Sequence, residues 1–138
     1  MENSVKNILD IHGLRRTPFR LKVLKIFLDS EDQALNNASL ESQLPDADRI
    51  TLYRTIKSFE KAGIIHQAID GSNESKYALC NNDCTEHNHK DNHAHFLCNT
   101  CGKTFCIENV MNSTYSLPVK FTMDKVHVAI TGICGNCN

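Results

Sequence analysis

Two cysteine pairs, Cys98-Asn-Thr-Cys101 and Cys134-Gly-Asn-Cys137, constrain the fold of this 138-residue chain more than any other feature. A C-x-x-C knuckle turns two thiolates toward one point, and glycine within or just after the pair eases the tight backbone turn. Four thiolates complete a closed tetrahedral zinc site with no corner left for water. The pairs are 32 residues apart, more than the roughly 15–20 of an ordinary zinc ribbon. A shared zinc would therefore tie distant strands together and bring the last residues back to the middle of the chain. A redox dithiol normally uses one such pair at a helix N-terminus within a βαβ unit, and no such context surrounds either pair here. Structural zinc on Cys98, Cys101, Cys134 and Cys137 is the expectation.

The rest of the cysteine pattern agrees. An odd seven cysteines, with no apolar leader at the start, argue against a disulfide framework and for a reducing, cytoplasmic setting. No apolar run approaches the roughly 20 residues that cross a bilayer, so no membrane partner is expected. All seven cysteines and five of the seven histidines fall after residue 79, whereas the first 70 residues carry ten of the fifteen Lys and Arg. This asymmetry divides the chain into residues 1–80, a histidine-rich hinge at 81–92, and a zinc-binding part at 93–138. Neither part is large enough to build a sufficient core alone, so each needs a metal, a partner or the other.

The first part reads as helices followed by a hairpin. Thr17-Pro18 is a hydroxyl N-cap with proline at the first helical position. Leu21, Leu24, Phe27 and Leu28 then recur at helical spacing to Asp29. A weaker helix with Val5, Ile8 and Leu9 on one face precedes it. Residues 38–44 form a third helix, ended by Pro45. A fourth runs from Asp48 to Gly63 with Leu52, Ile56 and Phe59 as its buried stripe. IIHQAID, the turn signal Asp70-Gly71 and SKYAL complete a β-hairpin. This is the order of a winged helix-turn-helix.

With Leu52, Ile56 and Phe59 inward, Thr51, Tyr53, Arg54 and Lys57 face outward or flank the fourth helix. Arginine forks onto guanine or phosphate, and Tyr and Thr contact thymine methyls or phosphate oxygens. Upstream, His12 to Lys25 carries Arg15, Arg16, Arg20, Lys22 and Lys25 with no acidic residue. That local charge offsets an overall net charge of −1 and can follow a phosphate backbone. Double-stranded DNA is the expected partner.

The segment CTEHNHKDNHAHFLC packs His87, His89, His93 and His95 beside Glu86. In a strand, His93 and His95 share a face and can grip one metal through two imidazoles. His127 lies in KVHVAIT, read as a strand with Val126, Val128 and Ile130 on the opposite face. It is either a ligand or a surface histidine. His12 and His66 are expected to be structural and Cys106 a small buried hydrophobe, while Cys80 and Cys84 carry no assignment. No HExxH, deaminase-type or Ser/His/Asp arrangement occurs, so neither catalysis nor a small organic substrate is expected.

GLRRTPFRLKVL, DRITLYRTIKSFEKAGII, HAHFLCNTCGK and GICGNC, in this order, resemble the ferric uptake regulator family of bacterial metal-dependent repressors. The resemblance implies an α+β fold: an N-terminal winged helix-turn-helix with a small C-terminal α/β dimerisation domain stapled by the four-cysteine zinc site. It implies a homodimer on a palindromic operator and a second, regulatory divalent metal, zinc or iron(II), at the hinge. By the same resemblance Tyr53 and Arg54 match recognition-helix contacts, Arg15 a minor-groove contact, and His93 and His95 the sensory site. The chain departs from the family pattern at Gln33-Ala34, where a sensory histidine often precedes the third helix, and at Ala78, where a glutamate is usual. Asn92, Ala94 and the displaced His127 depart as well. Glu86, His87 and His89 are therefore expected to join His93 and His95 as replacement ligands. A thiol or peroxide sensor, or a zinc-stabilised interaction module without metal sensing, are the alternatives.

Overall fold

The computed structural model describes residues 2–80, 93–108 and 115–138. These residues include four helices: α1 (Glu2–Ile11), α2 (Pro18–Asp29), α3 (Asn37–Gln43) and α4 (Arg49–Ala62). Their ends follow the expected chemistry. Thr17 caps α2 by accepting from the Arg20 N–H, with Pro18 opening the helix. Asp48 caps α4 by accepting from the N–H groups of Ile50 at 2.7 Å and Thr51 at 3.1 Å. Gly63 ends α4 in the left-handed conformation, at φ 86°.

Val5 and Leu9 of α1, Leu24 and Phe27 of α2, Leu40 of α3, and Leu52, Ile56 and Phe59 of α4 meet in one core. Val23 also enters it fully buried, while Leu21 and Leu28 of the expected stripe pack only half-buried at its edge. The buried arc of α2 is therefore turned by one position from the one its leucines suggest.

The wing strands β2 (Ile65–Gln67) and β3 (Lys76–Leu79) pair antiparallel, Ile65 opposite Leu79 and His66 opposite Ala78. Asp70-Gly71 does not form a tight two-residue turn. It opens a longer connection, residues 68–75, because the Asp70 carboxylate is drawn inward, where it is 1% exposed. β4 (His93–Cys98) and β5 (Thr104–Glu108) form a second antiparallel pair, with β6 (Ala129–Gly132) parallel to β4. The strand expected in KVHVAIT thus begins only at Ala129. Ahead of it, Val126 and Val128 lie half-buried and His127 is exposed.

Two strands, β5 and one at Gln33–Asn36, have no counterpart in the sequence reading. β1 (Gln33–Asn36) pairs with β3 through Leu35 and Tyr77, and with β5 through Gln33–Phe105 and Ala34–Thr104. It joins everything into one six-stranded sheet, ordered β2-β3-β1-β5-β4-β6. The wing and the cysteine-bearing strands are consequently edge-to-edge parts of a single sheet. Among the described residues, no helix is long and apolar enough to cross a membrane.

Candidate metal centres and nucleic-acid interface

Cys98 ends β4, Cys101 lies in the turn leading to β5, and Cys134 and Cys137 occupy the turn after β6. Parallel pairing of β4 with β6 sets Cys98 beside Gly132 and so brings the two knuckles together. All four sulfurs lie within 4.8 Å of one another. Cys101 Sγ and Cys134 Sγ are 3.8 Å apart. A tetrahedron with zinc–sulfur bonds of about 2.3 Å has edges of about 3.8 Å.

The backbone N–H groups of Cys101 and Cys134 point at Cys98 Sγ, at 3.5 and 3.3 Å. These donors hold the Cys98 thiol down at about 6. The neighbouring Cys134 thiol, together with burial, pushes Cys137 up to about 12. Sulfurs this close cannot all ionise without a cation between them. The donor set, spacing and amide bonds fit a structural zinc on the four cysteines named from the sequence.

A second cluster crosses the sheet. His95 on β4 faces Cys106 on β5 as a cross-strand pair. From the wing, His66 Nε2 comes within 3.3 Å of His95 Nε2 and 3.7 Å of Cys106 Sγ. All three donor atoms lie within 4.8 Å of one another. With metal–nitrogen bonds of about 2.0–2.1 Å and metal–sulfur of about 2.3 Å, tetrahedral nitrogen–nitrogen and nitrogen–sulfur edges come to about 3.4 and 3.6 Å. The observed separations match. His66 Nδ1 lies 3.4 Å from Cys80 Sγ, a contact that fixes the ring and leaves Nε2 turned toward the cluster.

His66 spans the sheet because what lies beside it is small. Ala34 on β1, Ala78 on β3 and Ala68 pack together with Cys106 against them. Ala34 and Ala78 are two of the positions at which the sequence departs from the family pattern, and here small side chains leave room for the imidazole. His66, expected to be structural, and Cys106, expected to be a plain apolar filler, thus stand beside His95 in the candidate centre. The missed signal was the cross-strand register, which a sequence alone does not print. Glu86, His87, His89 and Cys84 lie outside the described residues, and His93 is described by its place at the start of β4 alone.

On α4, Leu52, Thr55, Ile56 and Phe59 are buried, leaving Tyr53, Arg54 and Lys57 exposed. Tyr53 is 60% exposed, with the Lys57 ammonium 5.5 Å from its ring centre and 3.3 Å from Glu60. Thr51 is exposed too, but its hydroxyl donates to Asp48 at 2.7 Å and so belongs to the helix cap. The basic stretch before α2 is divided in role. Arg16 forks onto Asp10 of α1, whose carboxylate it holds below the ordinary range. Arg20 donates to the Arg15 carbonyl at 3.1 Å, and the Arg15 side chain is exposed.

A winged helix with an exposed aromatic and cationic helix face, edge-joined to a sheet bearing two metal-ligand clusters, defines a metal-dependent DNA-binding regulator. Residues 11–129 match the Ferric uptake regulator family. The ferric uptake regulation protein of Campylobacter jejuni is 30% identical, over 96% of this chain and 85% of its own length. That of Bordetella parapertussis is 27% identical, over 99% and 95%. A zinc uptake regulator solved in complex with zinc and DNA superposes with a TM-score of 0.66 at 24% identity, covering 99% of this chain and 91% of that one. The chain belongs to the ferric uptake regulator family. It is a metal-responsive, DNA-binding repressor whose four clustered cysteines fit a structural zinc.

Proposed function

We propose that this protein is a zinc-responsive repressor of metal-ion homeostasis, acting in the cytoplasm without catalytic activity. The observation that carries the metal assignment is the His66–His95–Cys106 cluster, with two imidazoles and one thiol at tetrahedral spacing. Thiolate and imidazole donors favour zinc over iron(II), and an iron or manganese site would draw more on carboxylates. His93, with Glu86, His87 and His89 of the hinge, are the proposed donors for the fourth corner.

His66 belongs to the wing, whereas His95 and Cys106 belong to the cysteine-bearing strands. An ion bound by all three locks the angle between residues 1–80 and 93–138 that the shared sheet already sets, with 81–92 as the hinge. In a dimer this sets the separation of the two α4 helices, so that both reach successive major grooves of a palindromic operator. Tyr53 and Arg54 are proposed to read base edges. Arg15 and Lys57 are proposed to hold phosphate or the minor groove, with Thr51, Arg16 and Arg20 supporting the helix ends that present them. Val119, Phe121 and Ile133, which are 88%, 66% and 51% exposed, are large apolar side chains left for a second copy to cover.

The test is DNA binding as a function of metal. A fluorescent duplex selected by the metal-loaded protein from a random library should be bound at least tenfold more tightly with zinc than after removal of the second metal. Iron(II) at equal free concentration should restore less of that affinity. Equal rescue by both metals would refute the zinc assignment, and metal-independent binding would refute the sensory site.

A further inference from the structure

Beside the His66–His95–Cys106 cluster lies a second group of buried polar side chains that joins the same two parts of the sheet. Asp70 and Lys76 come from the wing and Thr104 from β5; they are 1%, 5% and 1% exposed. Lys76 Nζ donates to Asp70 Oδ2 at 2.7 Å and to Thr104 Oγ1 at 2.8 Å, and Thr104 Oγ1 donates to Asp70 Oδ2 at 2.5 Å. The three form a closed triangle in which the hydroxyl both accepts and donates.

Removing an ion pair from water is expensive, and apolar residues of equal volume often stabilise a fold as well or better. What a buried pair adds is a fixed geometry, since breaking any side of the triangle leaves a buried charge short of a partner. Here the fixed geometry is the position of the wing against β5. Thr104 and Cys106 are two apart on β5 and so share a face, and each meets a wing residue: Thr104 meets Lys76 and Asp70, Cys106 meets His66.

We propose that Thr104, acting through the buried Asp70–Lys76 pair, is a positioning residue of the second metal site. It holds His66 at ligand distance from Cys106 and His95 before metal arrives. The donors come from separate parts of the chain, and their convergence would otherwise be a cost of binding the ion. The proposal rests on the metal-responsive reading above and adds a group that is not itself a metal ligand.

Thr104→Val removes the hydroxyl and keeps the shape, while Thr104→Ser keeps the hydroxyl. Zinc affinity of the second site is measured on the full chain, with the four-cysteine zinc in place, by competition with a chromophoric chelator. Supporting groups of this kind typically change metal affinity by about 10- to 100-fold. Thr104→Val should bind the second zinc about tenfold or more weakly, Thr104→Ser within about twofold of the unaltered protein, and the first zinc equally in all three. Lys76→Met, which keeps the aliphatic stem and removes the charge, is the second variant and should weaken the same site. A second-site affinity unchanged in both Thr104→Val and Lys76→Met would overturn the positioning role alone. An unaltered protein that takes up a single zinc would overturn the metal reading beneath it.

Discussion

His66 Nε2 and His95 Nε2 stand 3.3 Å apart, although 29 residues separate them and their strands, β2 and β4, are not neighbours in the sheet. Two imidazole nitrogens at that distance, with a thiol 3.7 Å from one of them, share a hydrogen bond when no ion is bound and are spaced to hold one cation between them. His66→Ala should therefore reduce the metal content from two ions per protomer to one and abolish the metal dependence of DNA binding. The four-cysteine zinc should remain in place. Cys106→Ser, assayed under reducing conditions, should shift the second-site affinity in the same direction. Elemental analysis beside fluorescence anisotropy checks both, and a His66→Ala protein that retains two metals would contradict the site.

The four-cysteine centre should respond differently. Its sulfurs are crowded, Cys98 is fully buried, and the knuckle amides already point at the Cys98 sulfur. Structural zinc of this type contributes to folding itself, with apparent binding energies on the order of 10–16 kcal/mol. Mild chelation at neutral pH should thus remove the second metal first and leave one zinc per protomer. Cys137→Ser should lose that zinc, and with it the cooperative unfolding transition of the C-terminal strands seen by circular dichroism. If mild chelation strips both metals in parallel, the distinction between the two centres fails.

The helices and knuckles were legible in the sequence because their determinants are local. Thr17-Pro18, Asp48 and Gly63 mark helix ends whatever surrounds them, and a C-x-x-C pair draws its sulfurs together within four residues. β1 was not legible: QALN has no period of its own and becomes a strand because β3 and β5 offer edges on either side. The same non-local pairing hid the second centre. Cys106 becomes a candidate ligand only through its register opposite His95, and His66 only because Ala34 and Ala78 leave room beside it. Asp70 was readable as a turn residue, but its burial against Lys76 and Thr104 depends on a strand 34 residues away.

Asp70 gives a pH dependence with a definite sign. Burial pushes its carboxyl up, but hydrogen bonds from Lys76, Ser72 and Thr104 outweigh that and hold it well below the usual carboxylate range. A carboxylate lowered in the folded state stabilises fully above its unfolded value of about 4 and loses that contribution as the pH falls through the folded one. The difference in urea midpoint between the unaltered protein and Asp70→Asn should be constant from about pH 8 to 5 and shrink below about pH 4. Comparing the two proteins at each pH cancels the acid release of zinc, which affects both. A difference that stays flat down to pH 3 would show that the pair is not ionised as drawn.

On α4 the residues that hold the helix and those that read DNA should separate experimentally. The Thr51 hydroxyl donates to Asp48 at 2.7 Å, whereas Tyr53 and Arg54, two and three residues later, are exposed. Thr51→Val removes a hydrogen bond at the cap and should cost about 0.5–1.5 kcal/mol of folding stability. Its effect on the affinity of the zinc-loaded protein for its selected duplex should stay within about twofold. Arg54→Ala should leave the thermal midpoint nearly unchanged and cost roughly 1–3 kcal/mol of binding, with relaxed preference at one base pair in each half-site. Lys57→Ala, if Lys57 meets phosphate, should weaken binding evenly across sequences and flatten the salt dependence by about one counterion per protomer. Thermal melts and a salt titration of the same duplex distinguish the three variants. If Thr51→Val shifts sequence preference while Arg54→Ala shifts only stability, the two roles have been assigned to the wrong residues.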